Sequence, residues 1–273
     1  MISIITFFLK LLNALPILHI SNDDNFGTYN NFSTARLSLF SIPIGENIIY
    51  VISLDRVNNK FNFFKCISFD VLQSRVEPSK VEEKVKNYEL YLRTSTSLQR
   101  IQQEEFLKIR IAESIGSLYS LHNKVSFYAT IGLALFGFLG FLLTEIVNFK
   151  TFFYIKLAPY FLWGLSLIYA TNLILFIKKA IAVSSFYKSS FGDLKNNSKE
   201  TALSTAFYRD WYDINDAVRY YASLVKNIEK YLYRLIGACI LTWLIIFILS
   251  NLFSYTYDYY IVYLQTHFST FIS

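Results

Sequence analysis

The sequence predicts a mainly α-helical membrane protein, with three transmembrane helices, long cytosolic helical extensions and a small N-terminal β-containing domain. Three observations predict it. Charged residues make up only 17% of the 273, where a soluble domain carries about a quarter. The apolar excess, 53% hydrophobic with 18% aromatic and a mean hydropathy of +0.34, is gathered into three blocks after residue 124. Two stretches with apolar residues at alternating steps of three and four then run into those blocks without a proline.

Residues 1–78 read as a small cytosolic β-containing domain. Met1 to Ile20 is apolar but carries Lys10 near its centre, with Asn13 and Pro16. A charge at mid-bilayer costs a few kcal/mol, so the segment is assigned to a soluble domain, with a helix over 4–14. No basic residue precedes the apolar run, which speaks against a signal peptide. Ser21 to Ser33, rich in Asn, Asp, Ser and Gly, is expected as a loop. Strands follow at Arg36–Ile42, ended by Pro43, and at Asn47–Asp55 and Phe61–Phe69, which form a hairpin around residues 56–60.

Residues 79–124 are expected to form one cytosolic helix. Ser79 with Glu82 three residues on has the order of a capping box. Val81, Val85, Tyr88 and Leu92 step by four, three and four; Ile111, Ile115, Leu118, His122 and Val125 resume the step.

A bilayer core needs about 20 apolar residues. Uncharged runs at 125–143, 157–177 and 235–253 meet this, the first two joined as a hairpin. Eight basic residues (Arg110, Lys124, Lys178, Lys179, Lys188, Lys226, Lys230 and Arg234) flank the presumed inner ends, against Lys150 and Lys156 in the outer loop. This bias places the N-terminus in the cytoplasm and the C-terminus outside, in a cell inner membrane crossed three times. The Tyr-rich tail 254–273 then lies outside, its rings suited to the interface. Residues 178–234 form a cytosolic loop and a long helix whose seam, Phe207, Trp211, Ile214, Val218, Tyr221, Val225 and Ile228, is a heptad pattern. It closes either within one chain or as a coiled-coil stalk between copies.

Catalytic constellations are mostly absent from the sequence, and no enzyme, cofactor or metal is expected. His19, His122 and His267 are far apart, and no HExxH, CxxC pair, Walker A loop or GxSxG elbow occurs. Cys66 and Cys239 lie in segments of different kind and are not expected to pair. Asp210, Asp213 and Asp216 share one helix face, either solvated or docking a basic partner.

Inside the spans, Gly132, Gly137, Gly140 and Thr144, with Ala129, fall within a sector of about 140° at 100° per residue. Such a face serves close packing inside the chain, contact between subunits, or a pore lining. Asn172, with Thr171 and Ser166, is polar in the second span and needs an interhelical partner or marks an ion path. Glu145 and Lys156 are placed at similar depth and could pair. His122 occupies a seam position just inside the membrane, as a structural residue or a gate.

A basic helix entering a span, a short outer loop, a second span and a long returning helix, over residues 95–232 with Lys124, Lys178 and Lys179 flanking the hairpin, resembles the SLATT-type membrane effectors of bacterial anti-phage systems. This chain adds a third span and the N-terminal β domain. The resemblance implies a pore-forming antiviral defence effector, quiet until its cytosolic region is triggered. Expected partners are the lipid bilayer, further copies of the chain, and a cytosolic sensor protein or ligand; direct nucleic-acid binding is not expected. The alternative is a non-conducting anchor or scaffold that recruits a soluble partner through the N-terminal domain.

Overall fold

The structure is a computed structural model that describes residues 13, 17–21, 36–55, 59–68, 72–149, 153–182, 189 and 201–272, with side chains after Leu252 not described. The expected helix over 4–14, the loops at 21–33 and 184–200, Lys150 and Lys188 lie outside these residues, except for Asn13, Ser21 (which ends a strand) and Ser189. The chain divides into two compact units, Met1–Val71 and Leu72–Ser273.

The first unit is a four-stranded antiparallel sheet in sequence order: β1 (Leu18–Ser21), β2 (Arg36–Ile44), β3 (Asn47–Asp55) and β4 (Lys60–Ser68). β1 was not expected, because four residues at the end of an apolar run give no period to read. Its free edge is capped by Asn13, whose amide accepts from Ile20 N–H at 2.8 Å and donates to Ile20 C=O at 2.7 Å. Pro43 does not end β2. The strand continues to Ile44 and turns at Gly45-Glu46, with Ile44 paired to Asn47 and Pro43 to Ile48. Gly45 has φ 63°, the first-position glycine that a two-residue II′ hairpin favours. β1 reaches only as far as Leu39, so the proline sits where β2 has no second strand beside it.

Phe40 and Phe64 have φ 54° and 52°, and the register skips the row Phe40–Val51–Phe64. This kink swaps the faces: buried positions run Arg36, Ser38 then Ser41 in β2, and Tyr50 then Ser53 in β3. The interior is polar and internally bonded. His19 Nδ1 meets Tyr50 Oη at 2.7 Å, and Ser38 Oγ donates to Ser53 Oγ at 3.2 Å.

The second unit is helical: α1 (Pro78–Leu92), α2 (Ser97–Asn148), α3 (Phe153–Ile181) and α4 (Ala202–Ile272). α2, α3 and α4 are each long and apolar enough to cross a membrane. The single helix expected over 79–124 is broken at Arg93–Thr96. α1 begins with Pro78 at its first turn and Glu77 as N-cap without a side-chain bond, so the Ser79/Glu82 capping box does not form. The capping box belongs instead to α2, where Thr96 and Gln99 satisfy each other's backbone N–H. α4 continues through the stretch expected as a separate outer tail. Its 71 residues reach about 105 Å at 1.5 Å per residue.

α2 and α4 run parallel at a constant offset. Glu104–Ser204, Lys108–Phe207, His122–Tyr221 and Tyr128–Glu229 all join positions 99 to 101 residues apart. α3 returns antiparallel, with Phe176 stacked on Tyr231 at 5.6 Å and the Ser166 hydroxyl at the Cys239 thiol. These pairings show that the apolar runs are not level. Val125 lies beside residue ~225 of α4 and Ile177 beside residue ~229, whereas the run on α4 begins only at Leu235.

Candidate functional site: a clasp on the long helix

The residues ahead of α1 are bound to α4. Arg75 donates from Nη2 to Asp213 at 3.0 Å and from Nε to Asp216 at 3.4 Å. Asp216 also accepts from Val76 N–H at 3.1 Å, and Gln73 N–H reaches Ser223 Oγ at 3.2 Å. One turn earlier on α4, Asp210 accepts both the N–H and the hydroxyl of Ser189 at 2.8 Å. The aspartate row is therefore neither a plain solvated face nor a free docking surface. Its spacing of three puts the carboxylates on one face, and the chain itself supplies their donors.

α1 extends the clasp antiparallel to α4. Arg209 pairs with Glu82, and Tyr88 stacks on Tyr208 with centroids 4.2 Å apart. Tyr88 Oη also donates to Gln103 at 2.9 Å, which fastens α1 to α2 beyond the Arg93–Thr96 turn. Burial, then Glu104, Tyr208 and Tyr91, pushes the Tyr88 hydroxyl up from 10.0 to about 12. Tyr208 and Tyr221 are raised too, each chiefly by burial. Arg75, Glu82, Arg209 and Asp213 line an open groove of about 410 Å³ together with Val76, Pro78 and Val81. Both charge signs lie within it, so it suits a polar or zwitterionic group better than a metal. Among the described residues no three His, Cys, Asp or Glu side chains are placed to hold a metal ion.

No family model matches the chain. No curated protein and no solved structure matches it either. Its function is therefore to be read from its own geometry.

The heptad seam of α4 is filled from within the chain. Ile214, Tyr221, Val225 and Ile228 are buried in one core with Leu118 and Val125 of α2, and Val218, Ile111 and Ile115 pack against it. Phe207 and Trp211 are partly covered, Phe207 by the Lys108 ammonium 5.2 Å above its ring. The two stepped patterns of the sequence are thus the two sides of one intramolecular seam, with Phe207, Trp211 and Val218 of α4 left partly exposed. His122 is part of it, 4.9 Å from the Tyr221 ring centroid and tilted by 53°.

The small-residue face of α2 divides. Gly132 is buried, and a Cβ there would lie 3.2 Å from Leu173 Cδ2, so this glycine serves packing of α2 on α3. Gly137 and Gly140 are exposed with nothing within 4 Å of an added Cβ, and exposed Thr144 donates to Gly140 C=O at 3.1 Å. Ser166 and Asn172 are fully buried, donating to Leu162 C=O and Ile168 C=O of their own helix, while Thr171 faces outward and bonds back to Leu167. Ser166 and Asn172 are thus embedded between helices, whereas Thr171 lies on the outer surface of α3. Lys156 donates to Val147 C=O at 3.0 Å, not to Glu145.

Proposed function

We propose that the chain is an oligomeric integral membrane protein of the effector or channel-like class, gated through the clasped region that precedes its spans. The observation that carries this reading is the outward side of α2. Before the span it exposes Leu98, Ile101, Phe106, Ile109 and Tyr119; within the span come exposed Gly137 and Gly140, with nothing within 4 Å of an added Cβ. Apolar side chains left in water mark contact surfaces, and small residues on a lipid-facing helix admit the backbone of another helix. A second copy packed along α2 satisfies both halves at once. With most of the α4 seam closed internally, α2 is the assembly helix.

The basic residues at the inner ends support a cell inner membrane with the clasp and N-terminus in the cytoplasm and the C-terminus outside. A sensor protein or a small polar ligand acting at the Arg75/Arg209 groove fits the gating step, and membrane permeabilisation in anti-phage defence fits the architecture. The test is membrane potential in an induced bacterial host, read with a voltage-sensitive dye, with cross-linking to report assembly. The intact chain depolarises the cell and cross-links as an oligomer; Gly140→Leu does neither. Full assembly and depolarisation by Gly140→Leu overturn the reading.

A scaffold role draws on one other observation. β4 is an outer strand of the sheet, and its Phe61, Phe63 and Phe64 are 64–71% exposed, a place where a partner's strand can add. Under this reading Phe61→Ser with Phe63→Ser releases a co-purifying soluble partner and leaves membrane potential unchanged in every variant.

A further inference from the structure

A stripe of cations on α4 has no acidic counterpart among the described residues. Lys226, Lys230 and Arg234 are four residues apart and so lie along one side of the helix. Among the described residues none of the three forms an ion pair with a carboxylate. Glu229, which flanks the stripe, is engaged by α2 instead, accepting from Tyr128 Oη at 2.5 Å. At the edge of a membrane such a stripe would be an ordinary interface anchor. Its level is what sets it apart. The apolar runs of α2 and α3 begin beside residues ~225 and ~229, which puts Arg234 roughly 10 Å within the apolar layer at 1.5 Å per residue. Charged side chains at that depth require a partner.

The surroundings say which partner. The Arg234 guanidinium carbon lies 5.9 Å from the ring centroids of both Tyr169 of α3 and Tyr231, and the Lys230 ammonium lies 5.6 Å from the Tyr231 centroid. Both tyrosines are buried, giving the cations a floor fixed by α3–α4 packing. Toward the polar end the stripe leads to exposed Lys226. Away from it, the same side continues through exposed Gly237, with nothing within 4 Å of an added Cβ, to exposed Leu241. Cations at a polar mouth, a planar guanidinium suited to two phosphate oxygens, and an apolar track beyond them match a phospholipid better than a soluble anion.

We propose that Lys230 and Arg234 hold the phosphate of an anionic phospholipid drawn in from the inner leaflet, with Lys226 at the entrance and an acyl chain along Gly237 and Leu241. The proposal rests on the membrane reading above, and the two fail in different ways. Carbonate washing of membranes comes first: full-length chain that is released disproves the membrane reading. Full-length chain that resists washing is then extracted in mild detergent and offered phosphatidylglycerol and phosphatidylcholine, with retained lipid counted by native mass spectrometry. The unmodified chain retains phosphatidylglycerol preferentially. The preference drops about fivefold for each cation removed and about twenty-five-fold in Lys230→Gln/Arg234→Gln. Arg234→Lys keeps part of it, and serves as the readout if the double variant does not fold. Lys80→Gln/Lys84→Gln/Lys86→Gln on α1, which removes more charge, leaves it unchanged. Equal retention of the two lipids, a preference unaltered in both Arg234 variants, or inorganic phosphate stabilising the chain as well as phosphatidylglycerol does would overturn the proposal.

Discussion

The paired helices α2 and α4 are held differently in their two halves. Before Val125 and Val225, the buried seam is flanked by side chains that reach between helices: Glu104 to Ser204, Lys108 to Phe207, and the Arg75 and Glu82 contacts to the other side of α4. Beyond those positions polar side chains mostly turn inward on their own helix. Thr130, Thr144, Ser166, Thr171, Asn172 and Thr242 each donate to the carbonyl four residues back. Contact between helices there rests on shape, through Leu142, Ile146, Leu173 and Leu235, with a few polar links such as Tyr128 to Glu229 and Trp163 Nε1 to Leu139 C=O. In water, a charge or hydroxyl on a neighbouring helix selects one partner and register. In a layer without water, a hydroxyl must be satisfied at every moment, and its own backbone is the nearest acceptor.

The largest expected effect tests whether the seam or the charges dominate the polar half. Leu224 is fully buried, and Leu224→Ala should cost about 2–5 kcal/mol of stability, read as a lowered thermal midpoint in detergent. A loss smaller than that of Asp216→Ala would reverse the order. Asp216→Ala removes the acceptor of both Arg75 Nε and Val76 N–H, and should cost about 1–3 kcal/mol. Trypsin should then cut after Arg75 in the variant while sparing the parent. Asp213→Ala should do less, because Arg75 keeps Asp216.

The third prediction is a titration. Tyr88 is held neutral to about pH 12 against an ordinary 10.0, by burial first. A hydroxyl raised in this way adds stability that is complete below pH 10 and is lost as the pH climbs through 12. The ultraviolet difference spectrum between the chain and Tyr88→Phe should show a phenolate step near 12, moving down in Glu104→Gln. A step at 10 would mean that the α1–α4 stack opens in solution. The smallest effects compare two glycines. Gly137→Ala should stabilise a single chain by roughly 0.5–1 kcal/mol through helix propensity. Gly132→Ala should gain nothing, because Leu173 must give way.

Much of this architecture is legible in the sequence, and the exceptions are local and physical. Apolar steps of three and four reveal which face of a helix is buried but not what covers it, so the seams at Ile111–Val125 and Phe207–Ile228 are visible while their union is not. The aspartate spacing implies a shared face; its donor, Arg75, is 138 residues from Asp213. Four glycine and threonine positions on one helix face look equivalent, and only the packing of Leu173 separates Gly132 from Gly137 and Gly140. Pro43 looks like a strand end because a missing N–H matters only where a neighbour needs it. The Phe40–Phe64 row is hidden because phenylalanine is a poor residue for positive φ. Thr96 and Gln99 carry a start signal that is masked by the helical stepping on either side of it.

The constant offset between α2 and α4 restricts how this protein's genes can drift. One residue inserted into α2 before Val125 turns everything downstream by about 100° and slides it one step against a partner that has not moved. Lineages should therefore lengthen or shorten the stalk almost solely by seven-residue units made in both helices together, which nearly restore the phase. Single-residue indels should be rare in either paired helix.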